Sequence, residues 1–326
     1  MTRRNVISSL ELVGPVLAGK TSAVARLLTR AEDGTEEVQD ALAEIYRHTG
    51  KAVIVGVTGV PGSGKSSLLR RLVKAIRNSR RSVAVVAVDP TSPFSGGAIL
   101  GDRIRMHGFA DDPDVFIRSM ATRGALGGLA HATLDAVDIF DAAGFDMVLI
   151  ETVGVGQDEI DVVRATHTTV VVSAPGLGDD IQALKAGVLE IADIHAVSKC
   201  DRSDAGKTIT DLKSMLLMHT PLVQQRGWSP PVVSTSALEK QGMEELLAHM
   251  DSHFGFLKSS GELAVRKRQI SEWRLLSAAE ELLRREFVKH RSGRLAEFTQ
   301  QLVNREINPH AAAKQLIENI WEANQP

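Results

Sequence analysis

The stretch that decides the fold is Gly59-Val60-Pro61-Gly62-Ser63-Gly64-Lys65-Ser66, a full match to the pattern G-x-x-x-x-G-K-[ST]. An apolar run precedes it and a helical pattern follows it. In that setting the glycines let backbone N–H groups surround a phosphate, and the helix N-terminus adds a favourable field. The stretch predicts a P-loop for a nucleoside triphosphate, with Lys65 at the β- and γ-phosphates and the Ser66 hydroxyl on Mg²⁺. Ser67 completes the predicted phosphate-binding set.

Downstream of this loop, short apolar runs rich in Val and Ile alternate with helical patterns. The runs are 52–57, 83–88, 147–150, 169–172, 195–197 and 231–233, and the helical patterns include 66–77, 126–143 and 181–190. Continuous apolar runs are typical of strands that are covered on both faces. Their alternation with helices predicts an α/β fold, a P-loop NTPase with a mostly parallel, doubly wound sheet.

Helical extensions are predicted on both sides of this core. Leucine and valine recur at helical spacing before Thr49, and no strand pattern returns after Phe256. We therefore predict an N-terminal helical extension (1–49), a P-loop domain (50–255) and a C-terminal helical region (256–326). The C-terminal helices carry an apolar stripe that packs on the core domain or forms a subunit interface, and the sequence favours neither strongly.

Composition and charge exclude several classes of protein. Lys and Arg number 38 against 40 Asp and Glu, a formal charge of −2, so no overall positive field attracts nucleic acid. The basic residues on the helix after the P-loop are interpreted as solvent-facing. A single cysteine, Cys200, excludes an internal disulfide and a multi-cysteine zinc site. Without a long apolar run or a signal-peptide pattern, a cytoplasmic protein with no membrane partner is expected.

Three acidic residues follow predicted strands or loops near the phosphates. Asp89 ends the run 83–88, Glu151 ends the run 147–150, and Asp102 lies in a glycine-rich loop between them. Strands of a parallel sheet end at one edge, where the P-loop also lies. We expect one of the three carboxylates to bind metal directly and another to hold or orient a water, without deciding which.

Two further loops indicate the base. Ser198-Lys199-Cys200-Asp201 is similar to the [NT]-K-x-D of guanine-specific NTPases, in which Lys199 would lie along the base and Asp201 would accept from its N1–H and 2-amino groups. The loop that contains Ser236, Ala237 and Leu238 resembles their Ser-Ala loop, whose backbone N–H groups meet guanine O6. The two loops together favour GTP over ATP.

Ser198 departs from the usual asparagine of that pattern. The asparagine amide braces the phosphate loop and reaches the base, and serine is shorter. We therefore expect a water or a neighbouring group to replace that contact. We also expect a Ser198→Asn variant to bind guanine nucleotides more tightly, with guanine selectivity retained through Asp201.

Longer blocks resemble one family. Segments 88–106, 118–129, 149–157 and 174–185 are similar to the MeaB/ArgK family, which includes the human methylmalonic aciduria type A protein. The resemblance is collinear from about Val16 to the Ser-Ala loop and becomes diffuse in the C-terminal helices.

This resemblance implies a GTP-hydrolysing metallochaperone of an adenosylcobalamin-dependent acyl-CoA mutase of the methylmalonyl-CoA mutase type. Such proteins gate cofactor loading, protection and reactivation, and they are homodimers through C-terminal helices. Hydrolysis is expected to be slow alone and accelerated by the mutase. Lys65, Asp102 and Glu151 are the implied catalytic residues, and Ser66, Asp89, Asp102 and Glu151 surround Mg²⁺.

The resemblance also implies an additional switch, with Gln157, Asp179 and Lys185 as candidates for relaying the nucleotide state. Arg103, Arg105 and Arg123 lie near the expected switches, but none is identified as an arginine finger. The identity of the mutase is not predicted.

Two alternatives are kept. A nickel-delivery maturation GTPase needs His or Cys clusters, whereas the histidines here are scattered. A small-molecule kinase needs an acceptor site and commonly a lid, and the sequence shows neither.

Overall fold

The computed structural model describes residues 7–89, 108–109, 111–121, 131–152, 161–162, 164–176, 192–218, 227–289 and 293–323. The helices are α1 Ser9–Leu17, α2 Thr21–Asp33, α3 Val38–Tyr46, α4 Lys65–Asn78, α5 His131–Ala142, α6 Ala205–Met218, α7 Met243–Ser260, α8 Glu262–Lys289, α9 Arg294–Val303 and α10 Pro309–Ala323. The strands are β1 Val53–Thr58, β2 Val83–Asp89, β3 Val115–Ala121, β4 Met147–Glu151, β5 Thr168–Ser173, β6 Ile194–Val197 and β7 Val232–Ser234.

The strands form one parallel sheet in the order β3-β2-β4-β1-β5-β6-β7. This confirms the predicted α/β class and makes the sheet parallel throughout. Six strands lie within a residue or two of the apolar runs. The sequence pattern predicts no strand at β3, because this edge strand interrupts its apolar residues with Arg118 and Ser119 instead of forming a continuous run.

One face of the sheet is covered by α4 and α7. Buried leucines of α4, among them Leu68 and Leu72, pack with Leu246 and Met250 of α7 and with β1 residues such as Val57. Since α4 begins at the P-loop, this packing fixes the loop at the carboxyl edge of the sheet.

The other face carries α5, on which the N-terminal helices pack. Leu27, Leu28 and Ile45 of these helices are completely buried. Residues 1–270, which include the N-terminal helices, form one compact unit, and residues 271–326 form another. In the described part of the chain, we find no helix with the length and apolarity needed to cross a membrane.

Two buried histidines make stability depend on pH. Burial lowers the pKa of His195 to about 4 from its ordinary 6.5, and neither ring nitrogen has a hydrogen-bond partner among the described residues. Burial, with smaller effects from Lys267 and Arg266, lowers the pKa of His167 to about 4 as well. The Nδ1 of His167 accepts a hydrogen bond from the Ile54 N–H at 3.1 Å, which requires an unprotonated nitrogen.

Between pH 6.5 and about 4 the unfolded chain therefore binds protons that the folded chain does not. The free energy of unfolding is highest above pH 6.5 and falls as the pH is lowered. At pH 5 we expect a loss of roughly 2 kcal/mol per histidine. Urea unfolding at pH 7.5 and pH 5 measures it. His195→Leu should reduce the loss by roughly 2 kcal/mol, and the exposed His310→Gln should leave it unchanged. The buried His253, whose pKa burial also lowers, contributes in the same direction. An unchanged loss in His195→Leu contradicts this account.

Candidate nucleotide-binding site

The P-loop connects β1 to α4 with backbone conformations that require glycine. Gly59 has a φ of 142°, and a Cβ placed there would lie 2.1 Å from the carbonyl oxygen of Val172 on β5. Gly64, with a φ of 88°, is the N-cap of α4. A side chain at Gly59 would push the loop away from the sheet. The glycines thus allow the loop to turn tightly over the carboxyl end of β1, with the helix N-terminus directly behind it.

Lys65 is buried inside this loop. Its Nζ donates to the carbonyl oxygen of Gly59 at 2.5 Å and to that of Val60 at 3.0 Å, and the residue is only 6% exposed. A buried ammonium group in this position is a strong electrostatic partner for phosphate oxygens, because little water screens it.

Ser66 and Glu151 come together, as the sequence predicted. The Ser66 hydroxyl donates to Oε1 of Glu151, which is nine-tenths buried at the end of β4. Glu151 pairs in register with Val57 of β1 and with Ala87 of β2, so Asp89 lies two residues further along β2 at the same edge. A hydroxyl beside a carboxylate is a donor set that suits a hard cation such as Mg²⁺.

The base loop is joined to the P-loop by two hydrogen bonds. The Ser198 hydroxyl donates to the carbonyl oxygen of Ser63, and Lys199 Nζ donates to that of Gly62 at 2.8 Å. The expectation that a water or a neighbour must replace the asparagine brace was therefore wrong. The loops approach closely enough for a serine to make the contact itself. Lys199 adopts a left-handed backbone with a φ of 53°, which is uncommon for a non-glycine residue.

The Ser198→Asn prediction stands, with a smaller expected gain. Serine already braces the P-loop, so asparagine would add only the contact to the base. We expect the GDP dissociation constant to fall a few-fold in Ser198→Asn and to rise a few-fold in Ser198→Ala, which loses the brace. Calorimetric titration with GDP measures both, and an unchanged constant in Ser198→Asn would refute our account of this departure.

Asp201 is linked to the second base loop. Its Oδ1 accepts a hydrogen bond from the Ser236 hydroxyl at 2.5 Å, and this bond is the main cause that lowers the pKa of the Asp201 carboxyl. Ser236 is buried and also accepts from the backbone N–H of Glu239 at 3.1 Å. The carboxylate is thus charged and fixed in direction, as an acceptor for two N–H groups of a base must be.

A cavity of about 600 Å³ connects these groups. Its walls include Gly64, Ser66, Glu151, Lys199, Asp201 and Ala237. The end of the P-loop, the Ser66–Glu151 pair and parts of both base loops therefore border a single space of the size that a nucleotide needs.

Several predicted residues lie outside the described part of the chain. They are Asp102, Gln157, Asp179, Lys185, Arg103, Arg105 and Arg123, together with the side chain of Asp89. Their predicted roles stay predictions.

Three basic residues on or just after α4, which the sequence predicts to face solvent, have partners instead. Arg71 Nε donates to the carbonyl oxygen of Ala237 at 2.8 Å. Arg77 pairs with Asp112 and Asp114, and Arg81 at the end of this segment pairs with Asp251. The position of Arg71 seven residues after Gly64, two helical turns along one face, was a usable indication that it points toward the nucleotide site.

The match to a family model decides the assignment. The model of MeaB, described as methylmalonyl-CoA mutase-associated GTPase, matches residues 24–291. The chain belongs to the MeaB family. The chain is accordingly a P-loop GTPase, an enzyme that binds and hydrolyses GTP.

Relatives cover nearly the whole MeaB-family chain. A protein of Pyrococcus abyssi is 43% identical over 95% of this chain and 96% of its own length. The GTPase ArgK of Escherichia coli is 33% identical over 97% of this chain and 98% of its own. A crystal structure of a LAO/AO transport system kinase, 26% identical, matches 98% of this chain and all of that one with a TM-score of 0.68. The similarity to these proteins thus covers nearly the whole chain and not only the residues that match the family model.

Proposed function

We propose that this GTPase is a metallochaperone of an adenosylcobalamin-dependent acyl-CoA mutase of the methylmalonyl-CoA mutase type. It would gate the loading, protection and reactivation of the mutase. The observation that carries the proposal is the match to a mutase-associated GTPase family over 24–291, which spans the P-loop and both base loops. The cavity that the P-loop and both base loops border supports guanine-nucleotide binding, which would control this gating.

In the proposed mechanism the phosphate end and the base end of GTP are held by different groups. The backbone of Gly59–Ser67 surrounds the phosphates, with Lys65 at the β- and γ-phosphates. Lys199 and Asp201 hold the base, with the backbone of Ser236–Leu238 at O6. Ser66 and Glu151, with Asp89 and Asp102, would hold Mg²⁺, which neutralises charge on the phosphate oxygens.

Glu151 has a place in this mechanism that its contacts support. It is buried, it contacts the Ser66 hydroxyl, and it ends a strand adjacent to β1. We infer that Glu151 and Asp102 orient the attacking water or hold the cation.

Coupling to the mutase needs a segment that differs between nucleotide states. We propose that Gln157, Asp179 and Lys185 belong to such segments. A mutase that binds one state more tightly is thereby coupled to the nucleotide, and it in turn alters nucleotide affinity or hydrolysis.

We further propose that the protein forms a homodimer through the region 256–326. Residues 1–49 would be the N-terminal helical extension, and residues 50–255 the P-loop domain. Leu275, Leu276 and Leu282 of α8 are 70%, 58% and 65% exposed in the single chain, which supports their burial against another copy. The mass of the protein in solution tests this part.

The test is GTP hydrolysis by the purified protein with and without a candidate cobalamin-dependent mutase from the same genome. We expect the mutase to accelerate hydrolysis of GTP but not of ATP, on the order of tenfold or more. Lys65→Ala should lose the stimulated activity, and the exposed Lys74→Ala should retain it. An absence of stimulation by every such mutase of that genome would count against the chaperone function.

A phosphotransferase is the second candidate, because the structurally similar protein is named a kinase. The same assay separates the two. Transfer of phosphate from ATP to a metabolite would favour the kinase, whereas release of inorganic phosphate from GTP alone would favour the GTPase chaperone.

A further inference from the structure

Arg71 connects the helix of the P-loop to the second base loop. It lies on α4 and lines the nucleotide cavity on the same side as Gly64 and Leu68. Its Nε donates to the carbonyl oxygen of Ala237 at 2.8 Å, across 166 residues of sequence. We propose that Arg71 is a positioning residue for guanine recognition, which holds the Ala237–Leu238 peptide where it meets the base. This inference rests on the proposed guanine site.

The rest of this loop is anchored to a different element. The backbone N–H of Thr235 donates to the carbonyl oxygen of Val197 at 2.7 Å, and Ser236 and Gln241 exchange two backbone hydrogen bonds of 3.1 and 3.0 Å. These contacts hold the loop against the end of β6 as far as Ser236. The next peptide is held from the opposite side, by Arg71 of α4. Beyond it, Leu238 is 77% exposed, so packing of that side chain contributes little to the loop's position.

The direction of one peptide follows from this bond. A peptide unit is planar and trans, so a fixed Ala237 oxygen also fixes the direction of the Leu238 N–H. A guanidinium donor makes a stronger hydrogen bond than a neutral one. The cation of Arg71 therefore orients a backbone donor next to the proposed O6 position without contacting the base itself.

The same bond joins the two ends of the nucleotide site. Ser198 and Lys199 connect the first base loop to Ser63 and Gly62 of the P-loop, and Arg71 connects the second base loop to the helix behind it. Both base loops are thus hydrogen-bonded to the phosphate-binding element. Loss of one of these hydrogen bonds should weaken nucleotide binding, and affinity changes of this kind appear mainly as a faster dissociation rate.

The experiment compares Arg71→Met, which keeps much of the apolar stem but has no donor, with Arg71→Lys and with Lys74→Met. Lys74 is an exposed residue about one turn further along the same helix, so its variant controls for the loss of one positive charge. The ligands are GDP, ADP, 6-thio-GDP, whose sulfur is a weaker acceptor than O6, and IDP, which lacks the 2-amino group. Dissociation constants come from calorimetry and dissociation rates from a fluorescent GDP analogue.

For Arg71→Met we expect the GDP dissociation constant to rise about tenfold, mainly through faster dissociation. The preference for GDP over 6-thio-GDP should shrink, and the preference for GDP over IDP, which depends on Asp201, should stay. Arg71→Lys should recover part of the loss, and Lys74→Met should bind GDP within about twofold of the wild type.

The inference is overturned if Arg71→Met binds GDP like the wild type. It is equally overturned if binding of GDP and binding of 6-thio-GDP weaken by the same factor in Arg71→Met, or if Lys74→Met weakens GDP binding as much. If circular dichroism shows Arg71→Met to be unfolded, Arg71→Lys decides, since unchanged GDP binding and 6-thio-GDP discrimination there would also overturn it.

Failure of the guanine site itself would look different. If the wild type binds ADP as tightly as GDP, the proposed guanine site is wrong. If the wild type discriminates and Asp201→Asn abolishes discrimination while the Arg71 variants keep it, the site stands and only the role of Arg71 is refuted.

Discussion

Replacing Lys65 with Ala is expected to reduce GTP hydrolysis on the order of 1000-fold and to weaken GTP binding strongly. Lys65 is 6% exposed, and its Nζ lies 2.5 and 3.0 Å from the Gly59 and Val60 carbonyl oxygens, inside the loop that would surround the phosphates. Charge on the transferred phosphoryl group is best stabilised by a cation that is already in place and shielded from water. Single-turnover phosphate release with GTP measures the loss.

Two controls separate this electrostatic role from a structural one. Lys74→Ala removes a lysine from the exposed side of the same helix and should hydrolyse GTP at the wild-type rate. Thermal unfolding of Lys65→Ala shows whether the loop and α4 still fold. Retention of more than about a tenth of the wild-type rate by a folded Lys65→Ala protein would show that Lys65 is not the predicted catalytic group.

Replacing Asp201 with Asn is expected to weaken GDP binding on the order of 100- to 1000-fold and to create a preference for xanthine nucleotides. The charged carboxylate would accept two hydrogen bonds from guanine, and charge-assisted bonds of this kind contribute about 1.5–3 kcal/mol each. The asparagine amide keeps one acceptor and adds a donor, which meets the C2 carbonyl oxygen that xanthine has in place of the 2-amino group.

Titrations with GDP, xanthosine diphosphate and ADP measure this exchange of specificity. Asp204→Asn is the matched control, because it makes the same chemical change three residues away in an exposed side chain that pairs with Arg202 at 2.9 Å. That variant should keep the wild-type preference. Equal losses for GDP and xanthosine diphosphate in Asp201→Asn would place Asp201 outside the base site.

The main features of the fold and much of the site follow from patterns within short segments. The P-loop motif, the buried strands and the two base loops are local, since each depends on residue types at spacings of a few positions. Because all strands are parallel, their carboxyl ends share one edge, and the meeting of Ser66 with Glu151 followed from that rule alone. The edge strand β3 could not be recognised from such a pattern, since a strand at the border of a sheet does not need a continuous apolar run.

Contacts between loops distant in the chain were beyond sequence reasoning. The Ser198–Ser63 bond spans 135 residues and the Arg71–Ala237 bond spans 166, and each depends on the width of a gap that packing of α4 against the sheet sets. A motif gives the residue types of a loop but not the distance between two loops in the folded protein. The sequence alone therefore predicts that Ser198 is too short to reach the P-loop and that Arg71 faces solvent. The residue pattern of this chain specifies a MeaB-family GTPase, while the packed structure determines which side chains hold its nucleotide loops together, because a hydrogen bond depends on distances of tenths of an ångström that no spacing along the chain encodes.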